Sequence, residues 1–190
     1  MTDAIPPTTE WKPVKLRVED YLLLDDAGAF DVYGRTELIE GEVVYMNAQH
    51  RPHARVQTRL LVLLAAALSE RADNLEALIE GSVAMPPHNV PEPDIAITSE
   101  AEGDGLIPLA SLALVVEVAD TTLRNDLGRK AIIYAREGVP EYWVVDVNGS
   151  IIHQMWLPID GTYTERREIA FGAAITAATI PGLTVETTTL

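Results

Sequence analysis

The segment Leu112-Ala113-Leu114-Val115-Val116-Glu117-Val118 decides the fold of this chain of 190 residues. It is an almost unbroken apolar run, as is typical of a central strand that other elements cover on both faces. A helical pattern follows to about Glu137, where Gly138 ends it and Pro140 prevents it from resuming. The next apolar strand is Tyr142 to Val147. This order predicts an α/β protein with a mixed central β-sheet flanked by helices, and it leaves open whether the two strands are parallel.

The regions on either side of this unit supply further helices and strands. Upstream, the patterns predict two helices and three strands, one of them with a turn near Gly41. Their bounds are Val18 to Asp25 and His53 to Arg71 for the helices, and Glu37 to Met46, Leu78 to Ala84 and Pro93 to Thr98 for the strands. Downstream, Asn148-Gly149 predicts a hairpin turn into a strand, Ile151 to Trp156. A weaker strand follows Tyr163, and the tail from Ala170 could add an edge strand.

Length and composition fit a single domain. Hydrophobic residues make up 47% of the chain, and there are no cysteines, which excludes disulfides and thiolate metal sites. The polar start predicts a flexible N-terminal tail over residues 1–17 and one domain over residues 18–190. The longest apolar run, Leu60 to Leu68, is too short to span a bilayer, which needs about 20 residues. We therefore expect a buried helix there, no membrane partner and a cytoplasmic location.

The charge of the chain argues against simple binding to nucleic acid. It has 14 Lys and Arg against 29 Asp and Glu, a net charge of −15. Proteins that hold nucleic acid through its phosphates usually carry a basic face. A bound divalent cation would invert the local electrostatic field around a few carboxylates. It cannot account for the full excess of acidic over basic residues.

Three charged residues fall where the predicted elements turn inward. Asp94 begins a strand in which it shares a face with Ala96, and Glu117 lies inside the apolar run. A carboxylate in a covered strand is costly unless it is paired or binds a metal. The helix that follows has an inward stripe at about 100° per residue. Its members are Leu123, Leu127, Lys130 and Tyr134.

Two inward acids and one inward lysine predict a divalent-metal site. Carboxylate oxygens suit a hard cation such as Mg²⁺ or Mn²⁺. The lysine can orient or help deprotonate a water, or stabilise negative charge on a phosphoryl group. Hydrolysis by a metal-bound water is the natural reaction for such a set. The alternatives are structural, with Asp94 closing a turn and Glu117 paired to Lys130 in a buried ion pair without a catalytic task.

The same residues carry a family resemblance. The motifs are Pro93 to Ile97, Val115 to Val118, Asp126 to Lys130 with Tyr134, Gly138 to Asp146, and, upstream, Glu37 to Glu42 followed by His53. In this order and spacing they resemble the Uma-type family of putative restriction endonucleases, within the PD-(D/E)XK nuclease superfamily. The resemblance covers about residues 18 to 158, and it implies a restriction-endonuclease-like fold.

The resemblance assigns roles position by position. Asp94 and Glu117 resemble the two acids of the motif, which are catalytic and bind the metal. The superfamily lysine normally lies two residues after the second acid, where this chain has Ala119. Lys130, on the following helix, resembles a migrated catalytic lysine.

The remaining implications concern the metal shell, the substrate and the assembly. Glu37 resembles an upstream glutamate that completes the metal shell, with Glu42 as the competing choice. The implied activity is a Mg²⁺- or Mn²⁺-dependent endonuclease that hydrolyses phosphodiester bonds in nucleic acid, with DNA as the expected substrate, and a homodimer is expected by analogy. The rival interpretation is a non-catalytic binding or regulatory protein that retains the nuclease fold. His53 is either a surface residue or a member of the site.

Overall fold

A computed structural model of the chain describes residues 11–190. The predicted tail, residues 1–17, therefore lies largely outside the described residues, and its part from 11 to 17 has no helix or strand. The helices are α1 (Val18–Asp26), α2 (Arg51–Ser69), α3 (Leu123–Asn125) and α4 (Ala131–Arg136), with a π-helical segment (Asp126–Lys130) joining the last two and 3-10 turns at Asp31–Tyr33 and Leu109–Ser111. None of the helices between residues 11 and 190 has the length and apolarity needed to cross a membrane.

Twelve strands are present in the described part of the chain. They are β1 (Thr36–Ile39), β2 (Glu42–Tyr45), β3 (Glu76–Ile79), β4 (Val83–Ala84), β5 (Ile95–Thr98), β6 (Ile107–Pro108), β7 (Leu112–Ala119), β8 (Glu141–Asp146), β9 (Ile151–Ile159), β10 (Thr162–Ala170), β11 (Ala174–Thr176) and β12 (Thr184–Glu186). Six of them form the central sheet in the order β10-β9-β8-β7-β5-β3. Strands β7 and β8 are parallel and every other pair in this sheet is antiparallel. The predicted mixed sheet flanked by helices is confirmed.

The two faces of β7 pack against different layers. On one face, α2 covers the sheet through a stripe of buried side chains at helical spacing, Val56, Leu60, Leu64 and Leu68. The other face contacts the helical segment between β7 and β8, where Ala131 and Tyr134 pack against Val115 and Ala119. Because side chains alternate along a strand, Glu117 falls on this second face.

The helix predicted from about residue 121 to 137 is interrupted by the π-helical segment. Its wider turn changes the spacing of side chains, and Leu127 consequently lies at the surface, 37% exposed. The prediction that Leu127 shares the inward stripe is therefore wrong, whereas Lys130 and Tyr134 are buried. Asp126, at the start of the π-helical segment, is a buried side chain that accepts a hydrogen bond from Thr122.

The hairpin of β1 and β2 lies beside the central sheet. Glu40 and Gly41 both have positive φ, as a two-residue type I′ turn requires, which confirms the predicted turn near Gly41. Leu38 exchanges backbone hydrogen bonds with Val90 in both directions. The segment after Val90 then leads into β5, so the hairpin is fixed to the chain immediately before Asp94.

Two predicted strands have a different form. The stretch Leu78 to Ala84 is not one strand, because Glu80 takes a positive φ and ends β3, after which β4 pairs with β6 in a separate parallel ladder. The C-terminal tail does not extend the central sheet. Its strands β11 and β12 pair with each other, which lets Ile175 and Val185 join the core beneath α2.

Candidate functional site

Glu117 is a buried carboxylate on the inner face of β7. Its side chain is held at one oxygen, because Lys130 Nζ and Tyr134 Oη each donate to Oε1 at 2.8 Å. Oε2 accepts no hydrogen bond from residues 11–190, and Glu117 lines the cavity described below. One oxygen is thus fixed by the protein while the other is free to bind a ligand.

Lys130 connects Glu117 to the β1–β2 hairpin. Its ammonium lies 2.8 Å from Glu117 Oε1 and 3.1 Å from Glu37 Oε1, and all three residues are less than 10% exposed. Glu37 Oε1 also accepts the backbone N–H of Glu92 at 2.8 Å. An ammonium has three donors, so one of them is left to reach into the cavity.

Asp94 lies next to Glu117, just before the start of the neighbouring strand β5. Ile95 pairs with Val116 in the antiparallel ladder, and one residue further along this register Asp94 lies opposite Glu117. The backbone N–H of Val118 donates to Asp94 Oδ2 at 2.7 Å. The other oxygen, Oδ1, has only a long contact of 3.5 Å with Gln49 Nε2 within the described chain.

His53 and Gln57, on successive turns of α2, position Asp94. His53 Nε2 lies 3.2 Å from Asp94 Oδ2, and Gln57 Nε2 donates to the Asp94 carbonyl oxygen at 3.2 Å. Burial lowers the pKa of His53, but the hydrogen bond to Asp94 together with the negative charges of Asp94, Asp120 and Glu80 raises it above the usual value. His53 therefore lies beside Asp94 in the cavity, and not as a free side chain at the surface.

The electrostatics of the buried cluster favour an additional cation. Burial raises the pKa of Glu117 well above its usual range, and Lys130 acts in the opposite direction. Burial alone would lower the pKa of Lys130, but Glu117 and Glu37 raise it above the usual value. Two carboxylates thus share one ammonium, so the cluster has more negative than positive groups when both acids are ionised.

These residues form the floor of an open cavity of about 940 Å³. Its lining is rich in acids, with six carboxylates against three permanent cations. The carboxylates belong to Glu37, Glu92, Asp94, Glu117, Asp120 and Asp126, and the cations are Arg35, Arg129 and Lys130. Glu42, the competing candidate for the metal shell, is exposed and pairs with Lys15 at 2.6 Å instead.

The donor set fits a hard divalent cation that keeps part of its own shell. Between residues 11 and 190, no group of three His, Asp or Glu side chains is arranged to hold an ion by itself. The free oxygens of Asp94 and Glu117 are nevertheless carboxylate donors in the same cavity. Mg²⁺ is commonly bound by one or two carboxylates, with waters or substrate phosphates completing its octahedron. Glu37 Oε1 is already bonded to Lys130 and to a backbone N–H. A role for Glu37 in completing the metal shell therefore stays a prediction.

Several contacts of the site could not be identified from the sequence. Tyr134 was predicted only as a member of the inward stripe, yet it donates to Glu117. Gln57 and Glu92 carried no signal, because their contacts join segments far apart in the chain. Asp126 lies in a motif of the resemblance, but its burial depends on the π-helical turn. Its pKa is raised, chiefly by that burial.

Comparison with known proteins agrees with this architecture. A crystal structure described as that of a putative nuclease belonging to DUF820, from Anabaena variabilis, matches with a TM-score of 0.65, covering 94% of this chain and 93% of that one. The two sequences are 15% identical, so this likeness concerns the fold. No match was found among curated proteins. The profile of the Uma2 family, described as "Putative restriction endonuclease", matches residues 18–188, and the chain therefore belongs to that family.

Proposed function

We propose that this protein is a divalent-metal-dependent nuclease that hydrolyses phosphodiester bonds, with DNA as substrate. The observation that carries the proposal is the buried cluster of Glu117, Lys130 and Glu37 on the floor of an open cavity that Asp94 also lines. Membership of the family and the fold of the nuclease neighbour support the same reaction class. Incubating the protein with labelled DNA and RNA strands, with Mn²⁺ or with EDTA, tests hydrolysis and the choice of nucleic acid.

Asp94 and Glu117 would hold the ion, Mg²⁺ or Mn²⁺, through their free oxygens. When bound, such an ion activates water for attack and neutralises charge on the phosphate. The Val118 N–H and His53 fix one oxygen of Asp94, and Lys130 and Tyr134 fix one oxygen of Glu117. The remaining oxygens are therefore held in place before any ligand arrives, which lowers the cost of binding.

Lys130 would act on the reacting phosphate as a fixed positive charge. The carboxylates beside it raise its pKa, so the ammonium stays protonated at neutral pH. A protonated lysine can stabilise negative charge in the transition state or orient the attacking water. It is less suited to act as the base that removes a proton from that water. Glu37 assists by holding the ammonium from the hairpin side.

The rival is a binding or regulatory protein that retains the nuclease fold. The net charge of −15 and the excess of carboxylates around the cavity favour it, because such a rim repels phosphates. The retained acid, acid and lysine set favours the enzyme, since buried charges that serve no task are costly to keep. An ion bound by the acids would also reduce the negative charge that a substrate meets.

Metal binding is expected to stabilise the fold. A ligand that binds only the folded state at 100 times its Kd adds about 2.7 kcal/mol. For a chain of this size that corresponds to a rise in Tm of roughly 5–10 °C. Thermal melts with Mn²⁺ or Mg²⁺ should show this rise in the wild type and lose it in Asp94→Asn.

The matched control for the metal response is Glu42→Gln, which removes an exposed carboxylate of the same hairpin. It should keep the full rise in Tm. An equal metal response in wild type and Asp94→Asn would place the ion elsewhere.

A further inference from the structure

Two exposed tyrosines lie together on the wall of the cavity, and the proposed chemistry does not use them. Tyr33 ends the 3-10 turn after α1, and Tyr45 ends β2. Their rings are stacked, with centroids 6.1 Å apart and planes at 23°. The residues are 57% and 64% exposed, although large aromatic side chains are usually buried. The pair thus presents aromatic surface to whatever enters the cavity.

Backbone contacts hold the chain at both tyrosines. Tyr45 pairs with Thr36 in the β1–β2 ladder, and the next N–H along the chain, that of Met46, donates to the Arg35 carbonyl at 3.0 Å. Gly34, directly after Tyr33, has a φ of 72°, a conformation that glycine adopts without strain. Tyr45 therefore lies on the hairpin that also carries Glu37, and Tyr33 lies in the turn that leads into this hairpin.

The cations that line the cavity offer few free partners to the phosphates of a nucleic acid. Every permanent cation that lines the cavity already has a carboxylate partner. The pairs are Arg35 with Glu80 and Glu92, Arg129 with Glu40 and Glu42, and Lys130 with Glu37 and Glu117. A nucleic-acid strand would have to compete with these carboxylates for the cations, which favours uncharged contacts as a source of its affinity.

We propose that Tyr33 and Tyr45 stack on an unpaired base, so that the substrate of the site is single-stranded or contains unpaired nucleotides. This inference rests on the proposed nuclease function and adds the class of substrate. Aromatic platforms bind bases of any sequence, because every base has a π-face. Within a duplex those faces are covered by neighbouring base pairs, whereas a single strand leaves them free.

The test measures the binding of a fluorescein-labelled oligothymidylate by anisotropy, with Mn²⁺ present and the probe checked for integrity on gels. Wild type is expected to bind this strand at least about tenfold more tightly than a duplex of the same length. Tyr33→Leu and Tyr45→Leu should each weaken single-strand binding by about tenfold. Tyr33→Phe and Tyr45→Phe keep the rings and should bind like wild type.

Two controls separate stacking from other effects. Trp11→Leu removes an exposed ring that does not belong to the cavity lining in the described part of the chain, and it should change nothing. A strand of abasic residues should bind wild type as weakly as the oligothymidylate binds the Leu variants. Leu variants that bind like wild type, or equal affinity for strand and duplex, overturn the inference even if the protein cuts duplex DNA. Tyrosine-dependent single-strand binding without cleavage supports the inference and counts against the nuclease proposal alone.

Discussion

Lys130→Met is expected to lower the free energy of unfolding by about 3–5 kcal/mol. The substitution removes the one ammonium that Glu117 and Glu37 share and leaves two buried carboxylates close together. Met keeps the long apolar stem, so the loss reports the charge and not the packing. Urea denaturation at neutral pH measures it. An unchanged free energy of unfolding would mean that the cluster is not held together by this ammonium.

The pH dependence of the same variant gives a second readout. Without the ammonium, the pKa of Glu117 rises further because the opposing effect of Lys130 on burial is lost, so the folded state retains a proton that the unfolded state has released. The loss in free energy of unfolding of Lys130→Met, relative to wild type, should therefore become smaller as the pH is lowered through that raised pKa. It should become larger as the pH is increased. Adding Glu117→Gln to Lys130→Met removes one of the stranded charges, and it should recover part of the lost stability at neutral pH.

Glu117→Gln and Asp94→Asn are each expected to reduce the rate of DNA cleavage by at least about 10²-fold. Loss of a residue that only orients a metal ligand commonly costs about 10–100-fold, and these two side chains are the proposed ligands themselves. Both substitutions preserve shape, and Glu117→Gln leaves Lys130 paired one-to-one with Glu37. Initial rates at saturating Mn²⁺ give the comparison, with urea denaturation to show that the variants are folded.

Glu42→Gln is the control for cleavage as it is for metal binding. It changes a carboxylate of the same hairpin that is exposed and paired with Lys15, and its rate should equal that of wild type. If Glu117→Gln cleaves as fast as this control, Glu117 has no part in the reaction, and the buried cluster is a structural ion network.

The sequence predicts the centre of the fold well because its signals there are local. The apolar run of β7 and the alternation within it place Glu117 on one face, and helical spacing places Lys130 on the opposing layer. Both inferences need only the periodicity of regular elements. Leu127 departs from this pattern because a π-helical turn has a different periodicity. No residue type between Asp126 and Lys130 predicts such a turn.

Contacts between distant segments are the part that could not be predicted. His53 lies on α2 and reaches Asp94 only because that helix packs on the central sheet, so a lone histidine in the sequence could equally have been a surface residue. Similarly, the hydrogen bond from the backbone of Glu92 to Glu37 depends on how the β1–β2 hairpin docks at Val90. Such contacts depend on tertiary structure, and the spacing of residues along the chain does not predict them.

The acidic character of the chain sets the conditions under which activity must be sought. Binding to nucleic acid weakens steeply with salt, and an acidic protein has little affinity to lose. Low ionic strength and a divalent ion are therefore both needed for a fair comparison of substrates. A single-stranded substrate should be included beside a duplex one, because the exposed pair of Tyr33 and Tyr45 favours unpaired bases.

The most direct test of the central claim is the cleavage rate of the wild-type protein at low salt, with Mn²⁺ and with EDTA, on supercoiled plasmid and on a labelled single strand. We expect products from at least one of these substrates with Mn²⁺ and none with EDTA. If Mn²⁺ raises the Tm of the protein and yet neither substrate is cut at any salt concentration, the nuclease proposal is contradicted, and the chain is a metal-binding relative that has kept the fold without the reaction.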